Sequence, residues 1–133
     1  MRPNVLPVRI LVVDDNHDAA DSLADLLSLF GADVHVCYDA SCALNWIGVF
    51  DFDAGVFDIH MPELDGVELA RRTRQALTQK PVFLIALTGV SDEQARQRTA
   101  EAGFDLHITK GAGLDVLITA LSKFAVWLQN HRT

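Results

Sequence analysis

The sequence predicts a parallel α/β sheet covered by helices on both faces. Three features point that way: five short apolar runs recur along the chain, amphipathic helical stretches separate them, and the connections are short. At 133 residues the chain makes one domain, residues 1–133 with a core from about Val8 to Leu128, large enough to bury a core without staples.

The first run, Arg9-Ile10-Leu11-Val12-Val13, is continuous and β-branched, as in a strand buried on both faces. A helix follows, with Ala19, Leu23, Leu26, Leu27 and Phe30 on one stripe and Gly31 ending it as a C-terminal cap. Asp33 to Cys37 alternates like a half-buried strand nearer a sheet edge, and a short helix runs from about Ala40 to Gly48. Ala54-Gly55-Val56-Phe57 is the third strand, ending at Asp58.

After a loop containing Met61-Pro62 and Asp65-Gly66, Val67 to Ala76 reads as a helix, and Pro81 introduces a strand from Val82 to Leu87. Ser91 and Gln94 form a capping box that opens a polar helix reaching about Ala102. Phe104 to Thr109 is the fifth strand. The last helix carries Leu114, Leu117, Ile118, Leu121, Phe124, Ala125 and Leu128 on one face.

Composition narrows the function. Half of the residues are hydrophobic and 22% are charged, which suits a globular domain. Lysine and arginine total 11 against 18 acidic residues, a formal charge of −7 that disfavours direct nucleic-acid binding. Arg71, Arg72 and Arg74, the densest basic patch, read as a solvated helix face. No apolar run is long enough to span a membrane, and Met1-Arg2-Pro3-Asn4 does not open a signal peptide, so the expectation is a soluble, cytoplasmic protein. Cys37 and Cys42 lack zinc spacing and are expected to be two buried thiols.

In an open parallel sheet, ligands bind at the carboxyl ends of the strands beside a switch in strand order. The first strand ends in Asp14-Asp15, the third in Asp58, the fourth in Thr88 and the fifth in Lys110. Singly, each has an ordinary role: Asp15 or Asn16 as a helix cap, Thr88-Gly89 as a turn, Lys110 in solvent. Together they describe a site. Converging carboxylates repel unless a hard cation such as Mg²⁺ (or Mn²⁺) neutralises them. Lys110 and Thr88 add an ammonium and a hydroxyl donor, and one aspartate remains to act as nucleophile toward a phosphoryl group.

The residues Ile10 to Asp15, Asp58-Ile59-His60-Met61-Pro62 with Asp65-Gly66, Leu87-Thr88-Gly89, Gly103-Phe104-Asp105 and Thr109-Lys110 resemble, in this order, the receiver domain of two-component response regulators. The same module occurs alone in chemotaxis regulators. The resemblance implies a flavodoxin-like (βα)5 fold with strand order 2-1-3-4-5. It implies that Asp58 accepts a phosphoryl group from a sensor histidine kinase or a histidine phosphotransfer protein. Asp15 and Asp58 would hold the metal directly, Asp14 mostly through water, and the His60 backbone carbonyl would complete the protein ligands. Thr88 and Lys110 would hold phosphoryl oxygens. Such a protein is a signalling phosphoacceptor rather than an enzyme acting on other substrates, although it promotes its own phosphotransfer and dephosphorylation. It signals through the surface of the fourth helix, fifth strand and fifth helix, where a homodimer can also form.

Departures from the family pattern are informative. His107 stands where Tyr or Phe is usual; it is either a switch residue whose inward swing depends on protonation or a partly exposed strand histidine. Gly111 follows Lys110 where the family has proline, so a trans bond and a looser loop are expected. His60 and Val90 lie two residues beyond Asp58 and Thr88, positions that tune loss of the phosphoryl group in the family. His17, His35 and His131 form no ligand pattern and are expected at the surface. Val116, Ala120 and Trp127 lie beside the main stripe of the last helix, where Trp127 either packs under the chain end or joins an apolar flank for a dimer or partner helix. Two other readings remain: a pseudo-receiver that binds or dimerises without phosphate, and an aspartate-nucleophile phosphohydrolase. The second normally carries Asp-x-Asp after its first strand, whereas Asp58 lies far from Asp14 and Asp15.

Overall fold

A computed structural model of the chain describes residues 6–61, 65–89 and 93–131. Expectations that rest on Met1 to Asn4, Pro62, Val90 or Ser91 fall outside these residues.

Strands β1 (Arg9–Val13), β2 (Asp33–Cys37), β3 (Ala54–Asp58), β4 (Phe83–Thr88) and β5 (Leu106–Thr109) pair in parallel in the order β2-β1-β3-β4-β5. Helices α1 (His17–Leu29), α2 (Ala40–Trp46), α3 (Gly66–Ala76), α4 (Glu93–Ala102) and α5 (Leu114–His131) complete five strand-helix units. Alternation along the strands splits the core into two layers. Ile10, Val12, Val56 and Ile85 face α1 and α5, against Leu27, Leu117 and Leu121. Leu11, Val13, Phe57 and Leu84 face the other way, onto Ala43 of α2, Leu69 of α3 and Ala102 of α4. The doubly wound α/β sheet is therefore present.

Local chemistry sets the ends of the helices. Asn16, not Asp15, caps α1, its side-chain oxygen accepting from the Ala19 amide. Asp39 caps α2 through the Cys42 amide, and Asp65 caps α3 through the Glu68 amide. Gly31 follows α1 with a φ of 100°, the left-handed conformation expected of its cap.

Several expectations need correction. The buried stripe of α1 is Ala20, Leu23, Ala24 and Leu27, so the face is turned slightly from the one read through Ala19 and Leu26. The small side chains of Ala20 and Ala24 can be buried on this face, while Ala19 and Leu26 stay partly exposed at its edge. In α5, Leu114 is exposed because it opens the helix beyond the end of β5. His35 is not a surface residue. It is half-buried with its ring 3.9 Å from that of Phe50, edge-on to Trp46, because it lies on the α2 side of edge strand β2.

Cys37 and Cys42 are joined by a disulfide rather than held as two thiols. The end of β2 and the first turn of α2 bring their Cα atoms to 5.6 Å, within bridging range. The Lys110–Gly111 bond is trans, as expected, but Lys110–Ala112 forms a 3₁₀ turn rather than a loose loop.

Arg74 also departs from expectation. Arg71 and Arg72 are exposed and pair with Glu68, whereas Arg74 turns inward. Its guanidinium donates to the Gly103 carbonyl at 2.9 Å, the Val82 carbonyl at 2.7 Å and the Asp105 carboxylate at 2.7 Å. Asp105 in turn accepts from the Leu84 amide. One side chain thus ties α3, the start of β4 and the approach to β5. Replacing it by alanine removes the guanidinium from two backbone carbonyls and from Asp105, which keeps only the Leu84 amide, so Arg74→Ala should lower unfolding free energy by roughly 2 kcal/mol in urea titrations. Arg74→Lys should recover only part, because an ammonium cannot reproduce the planar fork.

Candidate functional site

The strand order reverses between β2 and β3 around β1, and ligand sites of such sheets form at that point. β1 delivers Asp14 and Asp15 to the carboxyl rim, and its neighbour β3 delivers Asp58. Ligand oxygens of the three carboxylates lie within 4.8 Å of one another. Asp14 and Asp58 are buried, while Asp15 faces solvent. Lys110, just past β5, reaches back with Nζ 3.2 Å from Asp14 and 3.7 Å from Asp58. Four of the five residues read from the sequence therefore meet. Thr88, the fifth, ends β4 one residue beyond Leu87, the register partner of Asp58, and is buried at the same rim.

Backbone groups fix the carboxylates. The His60 amide donates to Asp58 Oδ1 and the Asn16 amide donates to Asp14 Oδ1, each at 3.0 Å. The Asp14 amide donates to the Cys37 carbonyl at 3.1 Å, tying the acidic residue to edge strand β2. The His60 side chain is exposed. Gly66 supports the site from below: a Cβ there would collide with the Asp58 carbonyl oxygen and lie 2.8 Å from Ile59 Cα. The first turn of α3 can therefore press against the backbone that carries Asp58. The supporting roles of Asn16, Cys37 and Gly66 depend on three-dimensional proximity. In the sequence, Asn16 is legible only as a candidate helix cap and Asp65-Gly66 only as part of a loop.

The electrostatics are those of an acid pair short of positive charge. The Asp58 carboxyl is pushed up from 3.8 to about 6, chiefly by burial and further by the charge of Asp14, while the His60 amide and Lys110 oppose the rise. Three converging carboxylate oxygens, two of them from buried residues, match the donor set of a hard divalent cation.

His107 is half-buried on β5 and turned toward α4. The Thr99 hydroxyl donates to the Arg96 carbonyl at 2.9 Å, so at 3.1 Å it accepts from His107 Nδ1. The candidate interface on α5 divides in two. Val116 and Ala120 line an exposed groove with Leu106 and Lys123, whereas Trp127 belongs to a separate stack with Phe124 and His131.

A doubly wound sheet with an acidic, lysine-closed rim at its switch point places a charged site where such sheets bind ligands. The chain belongs to the response regulator receiver domain family of two-component signalling, whose model matches residues 10–122. Among its relatives, the sensor histidine kinase RcsC of Escherichia coli is 33% identical over 92% of this chain and 13% of its own length. The response regulator MprA of Mycolicibacterium vanbaalenii is 35% identical over 87% of this chain and 49% of its own. The chain thus spans half or less of these relatives. A response regulator receiver domain protein from Methanospirillum hungatei has the same fold, with a TM-score of 0.84 and 25% identity over 93% of this chain and 98% of its own. No helix among the described residues is long and apolar enough to cross a membrane.

Two outcomes test the site without any ligand. Because the folded form binds the Asp58 proton more tightly than the unfolded chain does, the stability contribution of that proton is complete below 3.8. It is lost as pH rises through about 6. In metal-free buffer, Asp58→Asn should therefore stabilise the fold on the order of 2 kcal/mol at neutral pH, and the gain should vanish toward pH ~4 in paired thermal melts. Gly66→Ala should instead destabilise by about 1–3 kcal/mol at every pH, because the clash is steric.

Proposed function

We propose that this domain is a phosphoacceptor in a two-component or phosphorelay system, with Asp58 taking a phosphoryl group from a phosphohistidine. The observation that carries the reading is the meeting of Asp14, Asp15 and Asp58 with Lys110 at the switch point of the sheet. In the transfer, an Asp58 carboxylate oxygen forms a bond to phosphorus as the phosphorus–nitrogen bond to the donor imidazole breaks. The electron pair leaves on that nitrogen, which then takes up a proton. A Mg²⁺ or Mn²⁺ ion held by Asp15 and Asp58, by Asp14 through water and by the His60 carbonyl would supply neutralisation of the gathered negative charge.

The residues of the chain do the positioning. The His60 amide holds Asp58 Oδ1 in place. Lys110, now between Asp14 and Asp58, shifts its ammonium to an oxygen of the incoming group, and the Thr88 hydroxyl donates to another. The new charge and its acceptor oxygens then draw Thr88 and the end of β4 toward the site. His107 is the residue that registers this movement. Its bond to Thr99 links β5 to α4, so repacking there reshapes the α4–β5–α5 surface that includes Val116 and Ala120. The partners in this reading are a sensor histidine kinase or a histidine phosphotransfer protein, and a second copy on the α4–β5–α5 face.

The test uses purified protein, Mg²⁺ and acetyl phosphate, read by intact mass. One phosphoryl adduct is expected, absent in Asp58→Asn and lost when Mg²⁺ is chelated. Lys110→Ala should still fold but label at least about tenfold more slowly, having lost a charged contact to the transferring group. No adduct under conditions that label other receivers would overturn the reading in favour of a module that binds partners without phosphate.

A further inference from the structure

The bridge between Cys37 and Cys42 lies outside the acid cluster, yet it is one hydrogen bond away from it. Cys37 closes β2, and its carbonyl accepts from the Asp14 amide at 3.1 Å. Cys42 lies in the first turn of α2. Cys37 is fully buried, whereas Cys42 is partly buried and packs against the core layer beneath α2.

We infer that this pair is a reversible thiol–disulfide modification site, and that its state sets how firmly the Asp14 backbone is held at the acidic rim. Three observations support reversibility. First, the bridge closes a sequence separation of only 5 residues, so it restrains the unfolded chain little and acts locally. Second, the segment keeps non-covalent ties that let it fold in either state. Asp39 caps α2 through the Cys42 amide at 2.7 Å, and the Tyr38 hydroxyl donates to Asp21 at 2.6 Å. The Tyr38 ring also stacks on His17, with centroids 3.8 Å apart. Third, Cys42 is the less buried of the two cysteines, and it is Cys37, not Cys42, that touches Asp14.

The exchange balances with a small dithiol. A dithiol thiolate attacks Cys42 Sγ, the Cys42–Cys37 sulfur bond breaks, and the electron pair leaves on Cys37 Sγ, which is protonated. The second thiolate of the reagent then attacks its own sulfur in the mixed disulfide and releases Cys42, which is protonated in turn. Two cysteine thiols and one oxidised reagent result. A disulfide oxidant such as oxidised glutathione runs the sequence in reverse.

With the bridge closed, the end of β2 is clamped to α2 and the Cys37 carbonyl keeps its place opposite the Asp14 amide. With it open, that carbonyl gains freedom and the Asp14 amide loses a fixed acceptor. The effect on a bound cation rests on the proposed function above; the effect on the amide does not. Removing a supporting partner of a metal ligand typically costs 10–100-fold in affinity, and a loosened backbone contact should cost less, roughly threefold.

The experiment takes the whole chain after oxidised glutathione or after dithiothreitol and follows it by alkylation and intact mass, amide exchange at Asp14 and Mg²⁺ titration. Expected are no alkylated cysteines in the oxidised form and two in the reduced, unfolded-quench sample. The Asp14 amide should exchange several-fold faster when reduced, with roughly threefold weaker Mg²⁺ binding. Cys42→Ser should match the reduced wild type under both treatments. Equal Asp14 exchange in the two states would overturn the inference, as would equal, measurable Mg²⁺ affinities or a pair that the reagents cannot open and close in the folded chain. Different exchange with Mg²⁺ binding in neither state would uphold the hold on Asp14 and count against the metal-site reading instead.

Discussion

The structure depends on keeping Asp14 and Asp58 buried side by side. Two carboxylates in a water-poor rim repel each other, and burial alone pushes the Asp58 proton affinity upward. What prevents the pair from drifting apart is the sheet. β1 and β3 are hydrogen-bonded neighbours over Ile10 to Val13, with two apolar layers packed against their faces. Hydrophobic burial on both sides therefore holds in place an arrangement that electrostatics opposes. Positive charge that relieves the opposition meets a geometry already fixed, which is the condition for strong electrostatic recognition.

The support is asymmetric between the two acids. Asp58 is fixed from below by α3, whose first residue has no Cβ and so can touch the Asp58–Ile59 backbone. Asp14 is fixed from the side, through the Asn16 amide at the start of α1 and the Cys37 carbonyl at the sheet edge. Displacement of Asp58 is thus felt in α3 and β4, while displacement of Asp14 is felt in α1 and β2. One site can in this way report to two faces of the domain.

Much of this was legible in the sequence because it follows from periodicity. Each strand buried on both faces was a continuous apolar run, and the edge strand β2 alternated; position at a strand end then placed Asp14, Asp58, Thr88 and Lys110 without knowledge of side-chain contacts. What escaped were features set by approach across the fold. Arg74 reads as solvated in the sequence because it lies in one basic run with Arg71 and Arg72, and its acceptors come from segments outside its own helix. Cys37 and Cys42 belong to different elements, and only the tight β2–α2 turn brings them together. His35 looked exposed by polarity, but the half-buried edge gave it aromatic neighbours.

The distribution of charge between the two ends of the sheet has a further consequence. At the amino end, Asp51 and Asp53 are paired with Arg9 and Lys80, and Asp105 with Arg74. At the carboxyl end, Asp14, Asp15 and Asp58 gather around Lys110. Most of these amino-end carboxylates thus have their own cation, exposed Asp33 excepted, whereas three carboxylates share one lysine at the carboxyl end. A local excess of negative charge of this kind attracts a basic surface toward the carboxyl rim. That attraction fades as added salt shortens the reach of the field below the length of the domain.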